Sequence, residues 1–268
     1  MSDQASSFVG GVPENYDRGL GPVFFADFAE EMARRVAAFS PLRVLETSAG
    51  TGIVTRQLRD FLPPASQLVA SDLNPPMLEV ARAKFAAGER IEFQPADATA
   101  LPFPERAFDA VVCQFGVMFF PDKEKSYREA FRVLRPGGHY LFSVWDAHRY
   151  NPAPRLTHEL LGELFPADPP LFYEVPFSYR HIDPIKDSVT AAGFTDFRAS
   201  VLRIDKTVPD LPAFAHGLIF GNPAAEQIRV RGGDPAHVVD RLTEALRREF
   251  GAPARIRLQI ILFEATRP

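Results

Sequence analysis

Three acids stand at the ends of three apolar runs. Glu46 closes Leu42–Glu46, Asp72 follows Gln67–Ser71, and Asp97 follows Arg90–Gln94 in the stretch "PADATALPF". After the first run comes "TSAGTG", Thr47–Gly52, with Gly50 and Gly52 one residue apart. A glycine turn that opens a helix brings backbone N–H groups and a helix N-terminus up to a ligand. The dinucleotide fingerprint asks for a third small residue three positions on. Here that position is Thr55, and the loop lacks the lysine of a phosphate-binding P-loop. If the three acids share one crevice, they would repel a pyrophosphate, whose dinucleotide needs only one acid for a ribose. They suit a ligand that carries positive charge, a diol and an amine.

Whether they share a crevice depends on the elements that carry them. A polar N-terminal stretch leads into an amphipathic helix over Phe24–Phe39. Leu42–Glu46 reads as a strand, Val54–Phe61 as a helix stopped by Pro63-Pro64, and Gln67–Ser71 as a second strand. Asn74 before Pro75 is an N-cap and first-turn pair for a helix through Phe85. Arg90–Gln94 and Ala110–Cys113 give two more strands. Lys123–Leu134 is a helix halted by "RPGG", and His139–Trp145 is a fifth strand. This alternation predicts crossover units and a mainly parallel sheet with its strand ends on one edge. Beyond Asp146 the period is lost. Residues 147–182, rich in proline and aromatics, read as an irregular cap. Ile185–Ala192 is a helix, Phe194–Ile204 a strand, residues 208–252 a mostly helical insertion, and Ile256–Glu264 a closing strand.

The expected fold is α/β: a doubly wound, mainly parallel seven-stranded sheet with an N-terminal helical arm (1–40) and a main domain (41–268) bearing the cap and insertion. A net charge of −4 disfavours broad nucleic-acid backbone binding. The single cysteine, Cys113, lies in an apolar run, which excludes an intramolecular disulfide and a multi-cysteine metal site. No metal is expected. The N-terminus shows no signal-peptide pattern and no segment has the length of a membrane span, so a cytoplasmic protein is expected.

The motifs in this order resemble those of class I S-adenosylmethionine (SAM)-dependent methyltransferases. The style is that of the small-molecule branch containing the ubiquinone/menaquinone biosynthesis methyltransferases. "LETSAGTG" is similar to the first motif, "ASDLNPPML" to the second and "PADATALPF" to the third, while "FDAVVCQFGVMFFPD" and "RVLRPGGHYLFSVW" resemble the fourth and fifth. The resemblance covers Val44–Trp145 and implies a Rossmann-like methyltransferase fold with SAM as cofactor. It implies that Asp72 accepts the ribose hydroxyls, with Leu73 and Met77 packed on the nucleoside. Asp97 would accept the adenine amine, beside the backbone of Ala98. Glu46, with the backbone of Ser48, Ala49, Gly50 and Gly52, would hold the methionine end. Tyr16 in "ENYDRGLGP" resembles the family's lid tyrosine.

Other residues are placed by their surroundings. Gln114, between "VVC" and "FG", is costly to bury unpaired, so it and Phe115 are expected to face the crevice, with Gly116 permitting close approach. Transfer by in-line displacement needs alignment more than acid–base help. For an acceptor that must lose a proton, His148 is the best-placed candidate base, ahead of His216 and His139. The "NPPM" at Asn74–Met77 follows the second strand, not the fourth where amide and base N-methyltransferases carry a similar motif, and is read as a helix cap. Phe165, Phe172, Tyr173, Phe177 and Tyr179 in the cap suit a small, apolar or aromatic acceptor. An NAD(P)-dependent enzyme and a non-catalytic SAM-binding protein are the competing readings.

Overall fold

Strands β1 (Arg43–Thr47), β2 (Gln67–Asp72) and β4 (Phe108–Gln114) are buried on both faces, which is why their sequences read as unbroken apolar runs. With β3 (Ile91–Pro95), β5 (Leu134–Trp145), β6 (Thr195–Val208) and β7 (Ala254–Thr266) they make one sheet of order β3-β2-β1-β4-β5-β7-β6. The first five pair in parallel and β7 runs antiparallel between β5 and β6. The order reverses between β1 and β4, so a crevice opens outside their C-terminal ends, where α/β sheets bind ligands. The computed structural model describes residues 7–268; residues 1–6 of the expected arm lie outside the described residues. Among the described residues no helix is long and apolar enough to cross a membrane.

The arm is helical over a longer stretch than its amphipathic period predicts. Helix α1 (Val12–Asn15) runs into a π-helical segment, Tyr16–Phe25, and then into α2 (Ala26–Ala37). The widened turns carry Pro22, whose ring and missing N–H would disrupt an ordinary α-helical turn, and Ala26 N–H reaches back five residues to the Gly21 carbonyl. Helix α3 (Ile53–Phe61) starts from Gly52 at φ 78°, and α4 (Pro75–Arg82) follows Asn74. Asn74 occupies the N-cap position without a side-chain cap bond; its Oδ1 accepts the Phe8 N–H instead. Helix α5 (Lys123–Val133) is capped by Asp122, which accepts the Lys125 N–H.

The expectation of an irregular cap is corrected. Within 147–182 the chain forms α6 (Pro152–Leu164) and the short α7 (Glu174–Ser178). Pro152 and Pro154 sit in the first turn of α6, where a missing N–H leaves nothing unpaired, so they start a helix instead of breaking one. Fully buried Asn151 ties the cap's first residues to the sheet. Its Nδ2 donates to the Asp146 and Gln259 carbonyls, both at 3.0 Å, and its Oδ1 accepts the Gln259 N–H at 2.9 Å. Helix α8 (Ile182–Ala191) leads to β6, and the insertion forms α9 (Leu211–Phe220), α10 (Ala224–Arg229) and α11 (Pro235–Phe250).

Candidate active site

The glycine loop turns on backbone that alternates into the left-handed region: φ is 54° at Ser48, 55° at Gly50 and 78° at Gly52. Gly52 serves packing. A Cβ there would lie 2.9 Å from Ala81 Cβ on α4, so its absence lets the loop rest on that helix. Asp72, at the end of β2, closes the loop from below. Its Oδ2 accepts the Gly50 N–H at 2.8 Å and its Oδ1 the Asn74 N–H at 2.8 Å. Burial pushes the Asp72 pKa above the usual carboxylate range, and the Asn74 and Gly50 hydrogen bonds oppose that shift. On the neighbouring turn, Asp97 Oδ1 accepts from the backbone and hydroxyl of Thr99 at 2.8 and 2.9 Å, which fixes the carboxylate's orientation.

At the end of β4, Gln114 donates through Nε2 to the Phe25 carbonyl at 3.3 Å, while its buried Oε1 has no hydrogen-bond partner among the described residues. Such an acceptor requires a donor, since a buried unpaired carbonyl is costly. Phe115 follows at φ 56°, which turns its ring flat onto Trp145, centroids 4.3 Å apart and 4° from parallel. Gly116 then passes so close to the glycine loop that a Cβ there would lie 2.5 Å from Ser48 Oγ. Tyr16 from the arm stacks on Phe25 at 4.7 Å. Burial first, and then the nearby charges of Asp72 and Asp17, raise its pKa, so the phenol keeps its proton.

Most of these groups line one cavity, about 1140 Å³ with the open solvent at its mouth included. One end is polar, with Ser48, Gly50, Asp72, Asp97 and Gln114; the other is walled by Phe24, Phe25, Trp145, Phe172 and Phe177. Residues 45–142 match the family model for the methyltransferase domain. The segment is a class I methyltransferase domain. Over 100 residues the chain is 47% identical to a demethylmenaquinone methyltransferase of Thermus thermophilus, covering 37% of this chain and 45% of that one. Over 170 residues it is 33% identical to a ubiquinone/menaquinone biosynthesis C-methyltransferase of Pseudomonas syringae pv. syringae, covering 57% and 64%. The chain thus aligns with less than half the length of the first relative and under two thirds of the second. In fold it is similar to the YcgJ protein of Bacillus subtilis (TM-score 0.59, 20% identity, 90% of this chain and 98% of that one). It is also similar to phosphoethanolamine N-methyltransferase 2 of Haemonchus contortus (TM-score 0.61, 19% identity, 96% and 56%).

In this methyltransferase domain the cavity brings together Tyr16, Ser48, Gly50, Asp72, Leu73 and Met77 with Asp97, Ala98, Gln114, Phe115 and Gly116. Glu46, Ala49 and Gly52 stand behind it. Ala49 packs with Ala70 and Leu78. Glu46 is 1% exposed and accepts the Thr55 hydroxyl at 2.6 Å. Burial pushes its pKa up to about 8; the Thr55 hydrogen bond opposes this and the charge of Asp72 adds to it. The picture of three converging negative charges is therefore corrected. Glu46 is buried behind the wall, where desolvation favours its neutral form, and the acids on the cavity wall are Asp72 and Asp97.

His148 is likewise not on the wall. Its Nε2 lies 3.0 Å from the Tyr173 carbonyl and its ring packs 4.4 Å from that of Phe177, with burial, then His158, lowering its pKa. His139 stacks on Phe39 and His216 on Phe220. Of the cap aromatics, Phe172, Tyr173 and Phe177 reach the cavity, whereas Tyr179 pairs with the Tyr127 hydroxyl at 2.9 Å and Phe165 packs over Gly233. Sequence reasoning missed Phe24, Phe25, Phe119, Phe120, Trp145 and Asn222 as wall residues. The doublets "FF" at 24–25 and 119–120 were the available signal, since each flanks a segment already assigned to the crevice.

Proposed function

We propose that this protein binds S-adenosylmethionine in the cavity and transfers its methyl group to a small, apolar or aromatic acceptor. The observation that carries the reading is one cavity with an acidic, glycine-lined end and an aromatic end, lined also by Gln114, whose buried Oε1 has no partner among the described residues. A ligand with an ammonium, a diol and an adenine amine supplies donors to all of these acceptors. Asp72 would accept the ribose hydroxyls and Asp97 the amine, with Leu73 and Met77 against the nucleoside. Ser48 and Gly50 would approach the methionine end, and Gln114 would accept from its ammonium.

When bound, the cofactor supplies an electrophilic methyl group on a sulfur that leaves as a neutral thioether. The chain's own contribution is orientation and exclusion of water. Phe115 and Trp145, stacked on one another, make a rigid wall, and Tyr16 and Phe25 cover the arm side. Tyr16 and Tyr173 keep their protons near neutral pH, because burial raises both pKa values, and Tyr173 donates to the Leu218 carbonyl at 2.5 Å. His148, bonded through Nε2 to the Tyr173 carbonyl and away from the cavity lining, is given no proton-transfer role in this reading. The described part of the arm (7–40), the cap (147–182) and the insertion (208–252) are read as the elaborations that enclose the acceptor, a small molecule instead of a nucleic acid given the net charge of −4.

The test is transfer of a labelled methyl group from S-adenosylmethionine to a panel of phenols, quinols and amines. Label on an apolar or aromatic member is expected. Tight cofactor binding with no label on any member would favour a non-catalytic binding protein.

A further inference from the structure

The arm is fastened at two places of opposite chemistry. Asp17, next to Tyr16, accepts the Thr51 hydroxyl through Oδ1 at 2.6 Å and pairs through the same oxygen with the Lys84 ammonium. Thr51 belongs to the glycine loop and Lys84 lies just beyond α4, so one carboxylate joins three segments beside the acidic end of the cavity. Two residues on, Gly19 meets α9 backbone to backbone. A Cβ at Gly19 would lie 2.6 Å from Gly217 Cα, and one at Gly221 would lie 3.0 Å from Tyr16 Cα. The glycine seam is a steric fit that nothing in solvent can replace. The Asp17 clamp is different: its side chain is 25% exposed and that of Lys84 27%, so water and salt compete for it. Tyr16, the residue before Asp17, lies on the cavity wall and within electrostatic reach of Asp72.

We propose that Asp17 is a positioning residue: its bonds to Thr51 and Lys84 hold Tyr16 closed over the glycine-loop end of the cavity, and so set how long the nucleoside ligand stays bound. The Gly19–Gly217 seam is the pivot about which the Tyr16 segment opens once the clamp is released. This rests on the reading of the cavity as the S-adenosylmethionine site. Charge-assisted hydrogen bonds to a carboxylate are among the stronger polar contacts, so their loss should appear mainly in the dissociation rate.

The experiment is stopped-flow dissociation of S-adenosylhomocysteine from the full chain, followed by Trp145, the chain's single tryptophan, which lies on the cavity wall. The variants are Asp17→Ala, Asp17→Asn, Thr51→Val and Lys84→Met, each with its melting temperature. Asp17→Ala should release the ligand about tenfold faster or more, and Lys84→Met a few-fold faster, with association changed less. Added salt should speed release from the wild type and leave Asp17→Ala little changed. Should Asp17→Ala fold poorly, Lys84→Met and the wild-type salt response decide. Wild-type binding with variant rates within twofold of it and no salt response overturns the clamp alone. A wild type that shows no binding of S-adenosylhomocysteine overturns the cofactor reading beneath it.

Discussion

Glu46 shows how far a residue's type can mislead when its surroundings are unknown. Its place at a strand end was legible, and its charge was not, because charge depends on burial and on the Thr55 hydroxyl, which only the fold brings to it. The sign of its effect on stability follows from linkage. Its folded pKa, about 8, lies above the ordinary carboxylate value, so the folded state holds the proton more tightly than the unfolded chain. Stability from this group is intact below the ordinary carboxylate range and falls as pH rises towards about 8. Glu46→Gln keeps an acceptor for Thr55 and removes that loss. Its melting temperature should exceed the wild type's at pH 8 and converge with it near pH 5, as thermal scans across that range can check. Gln114 was the opposite case. A glutamine between apolar residues already signalled an unmet polar need, and Gln114, whose buried Oε1 has no partner among the described residues, lines the cavity.

At the scale of elements, legibility followed burial. Strands β1, β2 and β4 were readable because both of their faces are covered, so apolar side chains run on without interruption. The cap misled because prolines act as breakers inside a helix and as starters in its first turn, and only the fold shows which applies to Pro152 and Pro154. The π-helical stretch of the arm has no periodic signature of its own; its reason lies in Pro22 and in the contact of Gly19 with Gly217. That contact can be tested directly. In Gly217→Ala the new Cβ would lie 2.8 Å from the Gly19 carbonyl carbon, a backbone atom that can yield only if the arm moves. Overpacking of this kind costs about 1–3 kcal/mol. Urea unfolding should show a loss of that order, and S-adenosylhomocysteine affinity should fall with it because Tyr16 is displaced.

For the whole molecule, the strand order reverses between β1 and β4, and residues from the arm, five strand ends, the cap and the insertion gather around one cavity. The acidic half of that cavity was legible because motifs within Val44–Trp145 carry it. The aromatic half was only partly so, because it is assembled from Phe24, Trp145 and Phe177, which are far apart in sequence. The division predicts separable effects. Phe177→Ala should raise KM for an aromatic acceptor by about tenfold or more while S-adenosylhomocysteine affinity stays within about threefold, measured by steady-state kinetics and calorimetry. Comparable losses on both sides would mean that the two halves do not divide the labour.

The central claim is that the polar end of the cavity is built for S-adenosylmethionine and not for a dinucleotide. Isothermal titration of the wild type and of Asp72→Asn with S-adenosylhomocysteine and with NAD examines it most directly. The account expects saturable binding of S-adenosylhomocysteine, weakened roughly ten- to hundredfold in Asp72→Asn by loss of charge-assisted hydrogen bonds, and no heat from NAD. Saturable NAD binding with a flat S-adenosylhomocysteine titration would contradict it.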